Sequence, residues 1–153
     1  MSHPNHRSRV LFLCTGNYYR SRFAEILFNL RAPQRGLRWS AFSRALAIEL
    51  GSCNIGPISR HTRDACRARE IAIPEPTPFP CGASESDFQS AQRVVALKEA
   101  EHRAYMLRKF PEWADRIEYW HVHDLDAAAP QDACAQIERH VEELITRLGR
   151  ISQ

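Results

Sequence analysis

The 153-residue sequence has no apolar run near the roughly 20 residues that a membrane-spanning helix requires, which excludes a spanning segment of that kind. Its polar start, residues 1–9, is followed by an apolar run only from Val10 to Cys14, too short for the core of a secretory signal. Massed charge of one sign is missing too: the net charge is +3 and the basic residues are scattered, so a nucleic-acid partner has no support. The five cysteines, Cys14, Cys53, Cys66, Cys81 and Cys134, are odd in number and contain no C-x-x-C pair. That argues against a disulfide framework and against a zinc site, and it fits a reducing cytoplasm in which one thiol is reactive. There is no internal repeat, low-complexity tract or long linker. One domain is therefore expected over residues 9–150, behind a flexible tail of residues 1–8, and a monomer is the expected state. With 44% hydrophobic and 25% charged residues, a chain of this length buries a core without staples.

What is there centres on residues 10–21. An apolar run ends at Cys14, a polar loop follows, and Phe23, Ile26, Leu27 and Leu30 then share one helical face. A loop between a buried strand and a helix N-terminus is a place for an anion. The loop starts with a thiol and ends in the guanidinium of Arg20. Only the thiolate is a good nucleophile, and backbone N–H groups and the helix dipole favour an anion there. Ser21 is placed to add a hydrogen bond to the sulfur. Gly16 and Asn17 tolerate the left-handed geometry that turns amides inward as a nest. Arg20 brings a planar fork that matches two phosphate oxygens. C-x5-R alone is equally well a buried strand-end cysteine with an arginine nearby. Its setting between strand and helix favours the site, and none of the other four cysteines has an arginine six positions on.

Further strands are expected at residues 37–42, 93–97 and 116–122. Helices are expected from the loop to somewhere in 29–33, at 60–69, at 98–109, and over the stretch carrying Cys134, Ile137, Val141, Leu144, Ile145 and Leu148, with Gly149 as its stop. A short helical turn fits 45–50, ahead of Gly51. Pro74, Pro76, Pro78 and Pro80 forbid a helix or central strand and predict an extended surface excursion. The alternation predicts an α/β fold with a four-stranded parallel sheet covered by helices on both faces, in flavodoxin-like layering. Ligands of such sheets bind at strand C-termini, which brings Asp124, just after the last strand, toward Cys14.

The run Cys14-Thr15-Gly16-Asn17-Tyr18-Tyr19-Arg20-Ser21-Arg22-Phe23-Ala24-Glu25 resembles the signature of the low-molecular-weight protein tyrosine phosphatases, and the likeness extends over most of the chain to the strand leading into Asp124. The resemblance implies a phosphotyrosine phosphatase I-like fold, a phosphocysteine intermediate on Cys14, and Asp124 as general acid. It also implies phosphate bound by Arg20 and the loop, so Thr15, Gly16, Asn17, Tyr18, Tyr19 and Ser21 are the expected substrate-binding residues. The substrate would be a phosphorylated protein or a small aryl phosphate, with inorganic phosphate as product and no cofactor or metal. His121 and His123 are too few for a metal site.

Three departures stand out. The family's Asp-Pro is here Asp124-Leu125-Asp126, which makes Asp126 a rival acid. Tyr19 stands where many members carry a second cysteine. The proline-rich stretch is foreign to the family, so its substrate selection does not carry over. Two other functions stay open: thiol-dependent arsenate reduction, for which Cys81 is the resolving thiol to test, and a phosphate- or phosphotyrosine-binding module without turnover.

Overall fold

A computed structural model of the chain describes residues 7–122 and 129–151. The central strand β1 (Ser8–Cys14) pairs in parallel with β2 (Trp39–Ala45) on one side and with β3 (Arg93–Ala96) on the other. Beyond β3 lies β4 (Glu118–Tyr119), also parallel, so the order is β2-β1-β3-β4. The chain leaves β1 toward β2 and crosses back over β1 to reach β3. The topological switch therefore falls at the carboxyl end of β1, where a parallel sheet opens a crevice for ligands. Cys14 is the last residue of that strand.

Alternation along β1 feeds two cores. Val10 and Phe12 point to one face, under α1 (Arg20–Gln34), α2 (Arg60–Ala68) and α5 (Pro130–Ile151). Leu11 and Leu13 point to the other, against Phe88 of α3 (Glu85–Ser90) and Met106 of α4 (Glu99–Lys109). All four β1 side chains are fully buried, which is why the strand reads as a continuous apolar run.

Several boundaries differ from expectation. α1 runs through Pro33 to Gln34, because a proline in the last turn removes only the bond to the Asn29 carbonyl while Phe28 and Ala32 stay packed in the core. The helix closes where Gly36 adopts φ 75° and the Leu37 N–H reaches the Ala32 carbonyl at 3.0 Å. Gly149 does not stop α5, which continues to Ile151 with Gly149 facing Leu37. β2 starts at Trp39 and runs on to Ala45, paired with β1 along its whole length despite its serines. β4 is only two residues long, although Trp120 and Val122 still donate to Ala96 and Leu97 at 2.8 Å each. α3 was not expected; it starts where the Asp87 carboxylate accepts the Ser84 N–H at 2.9 Å.

The proline-rich stretch runs without regular structure between α2 and α3. Its far end docks on β2, with Ala45 donating to the Cys81 carbonyl and Ala83 donating to the Ala45 carbonyl, both at 2.8 Å. Of the expected tail, residues 1–6 lie outside the described residues, and Ser8 already belongs to β1. Among the described residues no helix is long and apolar enough to cross a membrane.

Candidate active site

The loop from Cys14 to Arg20 is held from outside by its carbonyl groups. Leu46 and Ala47, just past β2, donate to the Cys14 and Thr15 carbonyls at 2.9 Å each. Ser59, ahead of α2, donates to the Tyr18 carbonyl at 3.0 Å, and the Thr62 hydroxyl donates to the Tyr19 carbonyl at 3.2 Å. In a planar trans peptide the N–H points opposite the carbonyl. The amides of Thr15, Gly16, Tyr19 and Arg20 therefore face the concave side, above the buried thiol. This is an anion nest opening at the start of α1.

Asn17 is the internal brace. It is buried and adopts φ 53°, a left-handed geometry that asparagine tolerates. Its amide nitrogen donates to the Ser21 and Ser43 hydroxyls at 2.9 Å each, and its oxygen accepts the Cys81 N–H at 3.1 Å. The Ser21 hydroxyl, which accepts from Asn17, lies 2.9 Å from the Cys14 sulfur and is placed to donate to it when the thiol is ionised. Ser43 in turn donates to the Glu25 carboxylate. Burial raises the Glu25 carboxyl above its usual range, against the Ser43 hydrogen bond.

Arg20 is buried and gripped by a carboxylate that sequence reasoning missed. Its two terminal nitrogens donate to the oxygens of Glu101, on α4, at 3.0 and 3.3 Å. Nη1 also lies 3.5 Å from the carbonyl of Val122, at the end of the β4 segment. Burial opposes ionisation of Glu101, but hydrogen bonds from Arg20 and Thr15 outweigh it and hold the carboxyl down at about 2. The Thr15 hydroxyl donates to Glu101 at 2.5 Å.

His102 completes this corner. Its Nδ1 accepts the Lys98 N–H at 3.0 Å, so the ring proton sits on Nε2, 3.2 Å from the Thr15 hydroxyl. Burial first, then the nearby Arg20 charge, push the imidazole down to about 3 and keep it neutral. No local signal in the sequence marks this pair; only the fold shows His102 to be fully buried, beside Glu101 on α4.

The crevice over the loop has a volume of 790 Å³. Tyr18 lines it, and its hydroxyl donates to the Ile55 carbonyl at 2.5 Å. Tyr19, expected beside it as a substrate-binding residue, also lines the crevice; its ring packs against the core, edge-on to His61 with centroids 5.9 Å apart, and its hydroxyl lies 3.6 Å from the Cys134 sulfur. Cys53, on the far wall, and Cys81, past the prolines, are both exposed. Asp124 and its rival Asp126 lie outside the described residues. Among the described residues no cluster of histidine, cysteine and carboxylate side chains is fit to hold a metal.

The sequence model of one family, described as low molecular weight phosphotyrosine protein phosphatase, matches residues 9–153. A low molecular weight protein tyrosine phosphatase from T. tengcongensis shares 25% identity, covers 92% of this chain and 99% of its own, and superposes with a TM-score of 0.74. YfkJ from Bacillus subtilis shares 22% identity over 99% of this chain and 100% of its own, with a TM-score of 0.82. The YwlE arginine phosphatase from Geobacillus stearothermophilus shares 18% identity over 94% of each chain, with a TM-score of 0.73. No curated protein matches the sequence.

Proposed function

The chain belongs to the low molecular weight phosphotyrosine protein phosphatase family, a family of cysteine-dependent phosphatases, and from that premise we propose that it hydrolyses phosphotyrosine or another aryl phosphate monoester through a phosphocysteine on Cys14. The observation that carries this reading is the Cys14 sulfur, 2.9 Å from the Ser21 hydroxyl, in a crevice that Thr15, Gly16 and Arg20 also line and whose loop is held from outside by its carbonyls.

In the first displacement the Cys14 thiolate attacks phosphorus and the bond to the phenolic oxygen breaks. Asp124 protonates the leaving oxygen. In the second, Asp124 takes a proton from water, the water oxygen attacks phosphorus, and the bond to sulfur breaks to release inorganic phosphate. The amides and Arg20 stabilise the charge on the equatorial oxygens in both steps. Support for Asp124 is the position of Val122, two residues before it, whose carbonyl lies against Arg20.

The test is turnover of a generic aryl phosphate without added metal. Cys14→Ser is expected to abolish it, and undiminished activity in that variant sinks the covalent mechanism. Asp124→Asn is expected to slow turnover more than Asp126→Asn, and the reverse order moves the acid to Asp126. Phosphoarginine run alongside tests the activity for which the YwlE arginine phosphatase is named; faster turnover of it would displace the aryl ester as substrate. Thiol-dependent arsenate turnover lost in Cys81→Ser, or phosphotyrosine binding with no turnover at any pH, would replace hydrolysis by the corresponding alternative.

A further inference from the structure

Among the described residues that line the crevice over Cys14 there are three arginines and a histidine and no carboxylate; Asp124 and Asp126 lie outside the described residues. One wall is the first turn of α2, which presents Arg60, His61 and Arg63. Arg60 and Arg63 are three positions apart and so neighbours on one helix face. Among the described residues neither pairs with a carboxylate, and Asp64 beside them bonds to neither. Some arginines elsewhere are matched, as Arg31 and Arg69 are with Glu138, Arg103 with Glu99, and Arg147 with Glu118. The N-terminal end of α2 adds its positive dipole to the same wall.

The same crevice is lined by Leu50 and Ile55, which are 64% and 85% exposed, and the Ile55 carbonyl accepts the Tyr18 hydroxyl. Large apolar side chains left in water beside a crevice mark a surface for a macromolecule more than for a small ester. The size of the crevice exceeds what one phenyl phosphate fills.

We propose that this crevice takes phosphotyrosine within a protein segment whose acidic side chains flank the phosphorylated residue on the α2 side, with Arg60 and Arg63 as the selecting residues. The proposal rests on the hydrolytic reading above. Guanidinium groups that no described carboxylate pairs meet substrate carboxylates without first breaking such an ion pair. Lysines at the same substrate positions would meet like charge.

The test compares kcat/KM for three phosphotyrosine peptides that differ only in their flanks, acidic, amide or lysine, with a generic aryl phosphate as reference. The acidic peptide is expected to exceed the amide peptide by about fivefold, a gap that shrinks as ionic strength rises. In Arg60→Glu/Arg63→Glu the acidic-to-lysine ratio is expected to invert. Arg67→Gln removes an α2 charge that does not line the crevice and is expected to keep the wild-type ratio. Turnover of the aryl phosphate with equal kcat/KM for all three peptides overturns the proposal and leaves hydrolysis standing. An equal loss of preference in Arg67→Gln also overturns it, by reducing the effect to overall charge. No turnover of any substrate removes the hydrolytic reading and this proposal together.

Discussion

Arg20 and Glu101, 81 residues apart in sequence, meet through two hydrogen bonds of 3.0 and 3.3 Å, and the same carboxylate takes the Thr15 hydroxyl. The guanidinium proposed to bind phosphate is thereby held from α4, with its plane set before any substrate arrives. A preset donor plane lowers the reorganisation required in the transition state.

Glu101→Gln is expected to lower kcat/KM for an aryl phosphate by about 10- to 100-fold, the range of one charge-assisted hydrogen bond. Its effect on stability has a definite pH window. Glu101 lies at about 2 in the fold against an ordinary 4.5, so the unfolded chain binds more protons between those values. The stabilisation is complete above pH 4.5 and is lost as pH falls toward 2. Denaturant midpoints measured across that window should therefore fall less in the variant than in the wild type. An unchanged kcat/KM would remove Glu101 from the support of Arg20.

His102 is expected to show no protonation between pH 8 and 5 when its ring nitrogens are followed by NMR, since burial holds it at about 3. An unfolded histidine titrates near 6.5, so the unfolded state takes up the proton first as pH falls. The contribution to stability is intact above 6.5 and is lost progressively down to about 3. His102→Gln should show a smaller drop in stability between pH 7 and 5. A ring that titrates near 6.5 in the folded protein would refute the assignment.

Asn17→Ala removes three hydrogen bonds that tie the loop to Ser21, Ser43 and Cys81 and leaves an alanine at φ 53°. Buried groups left unsatisfied cost about 1–3 kcal/mol each, partly relieved by relaxation. A loss of about 2–4 kcal/mol is expected, or about 5–15 °C in Tm for a chain of this size. Asn17→Gly restores the backbone freedom alone and should recover only a minor part. A Tm within a degree of wild type in Asn17→Ala would show that Asn17 does not brace the loop.

The sequence by itself determined the strand, loop and helix around Cys14, because an apolar run, a polar turn and a 3.6-residue period are local signals that need no partner. The regular alternation of such segments also determined the parallel sheet, and the switch point that puts Cys14 at a ligand-binding edge. Tertiary structure decided everything that depends on distant pairs. Ser43 reaches Asn17 from a strand 26 positions away, and His102 reaches Thr15 across 87. No spacing rule encodes such separations. Pro33 and Gly149 read as stops yet lie inside helices, since packing of Ala32 and Leu148 in the core outweighs a weak local preference. Tyr18 and Tyr19 look equivalent as adjacent aromatics in a polar loop. Only the folded chain separates them: both line the crevice, but the Tyr18 hydroxyl reaches the Ile55 carbonyl, while Tyr19 is buried in the core with its hydroxyl against Cys134.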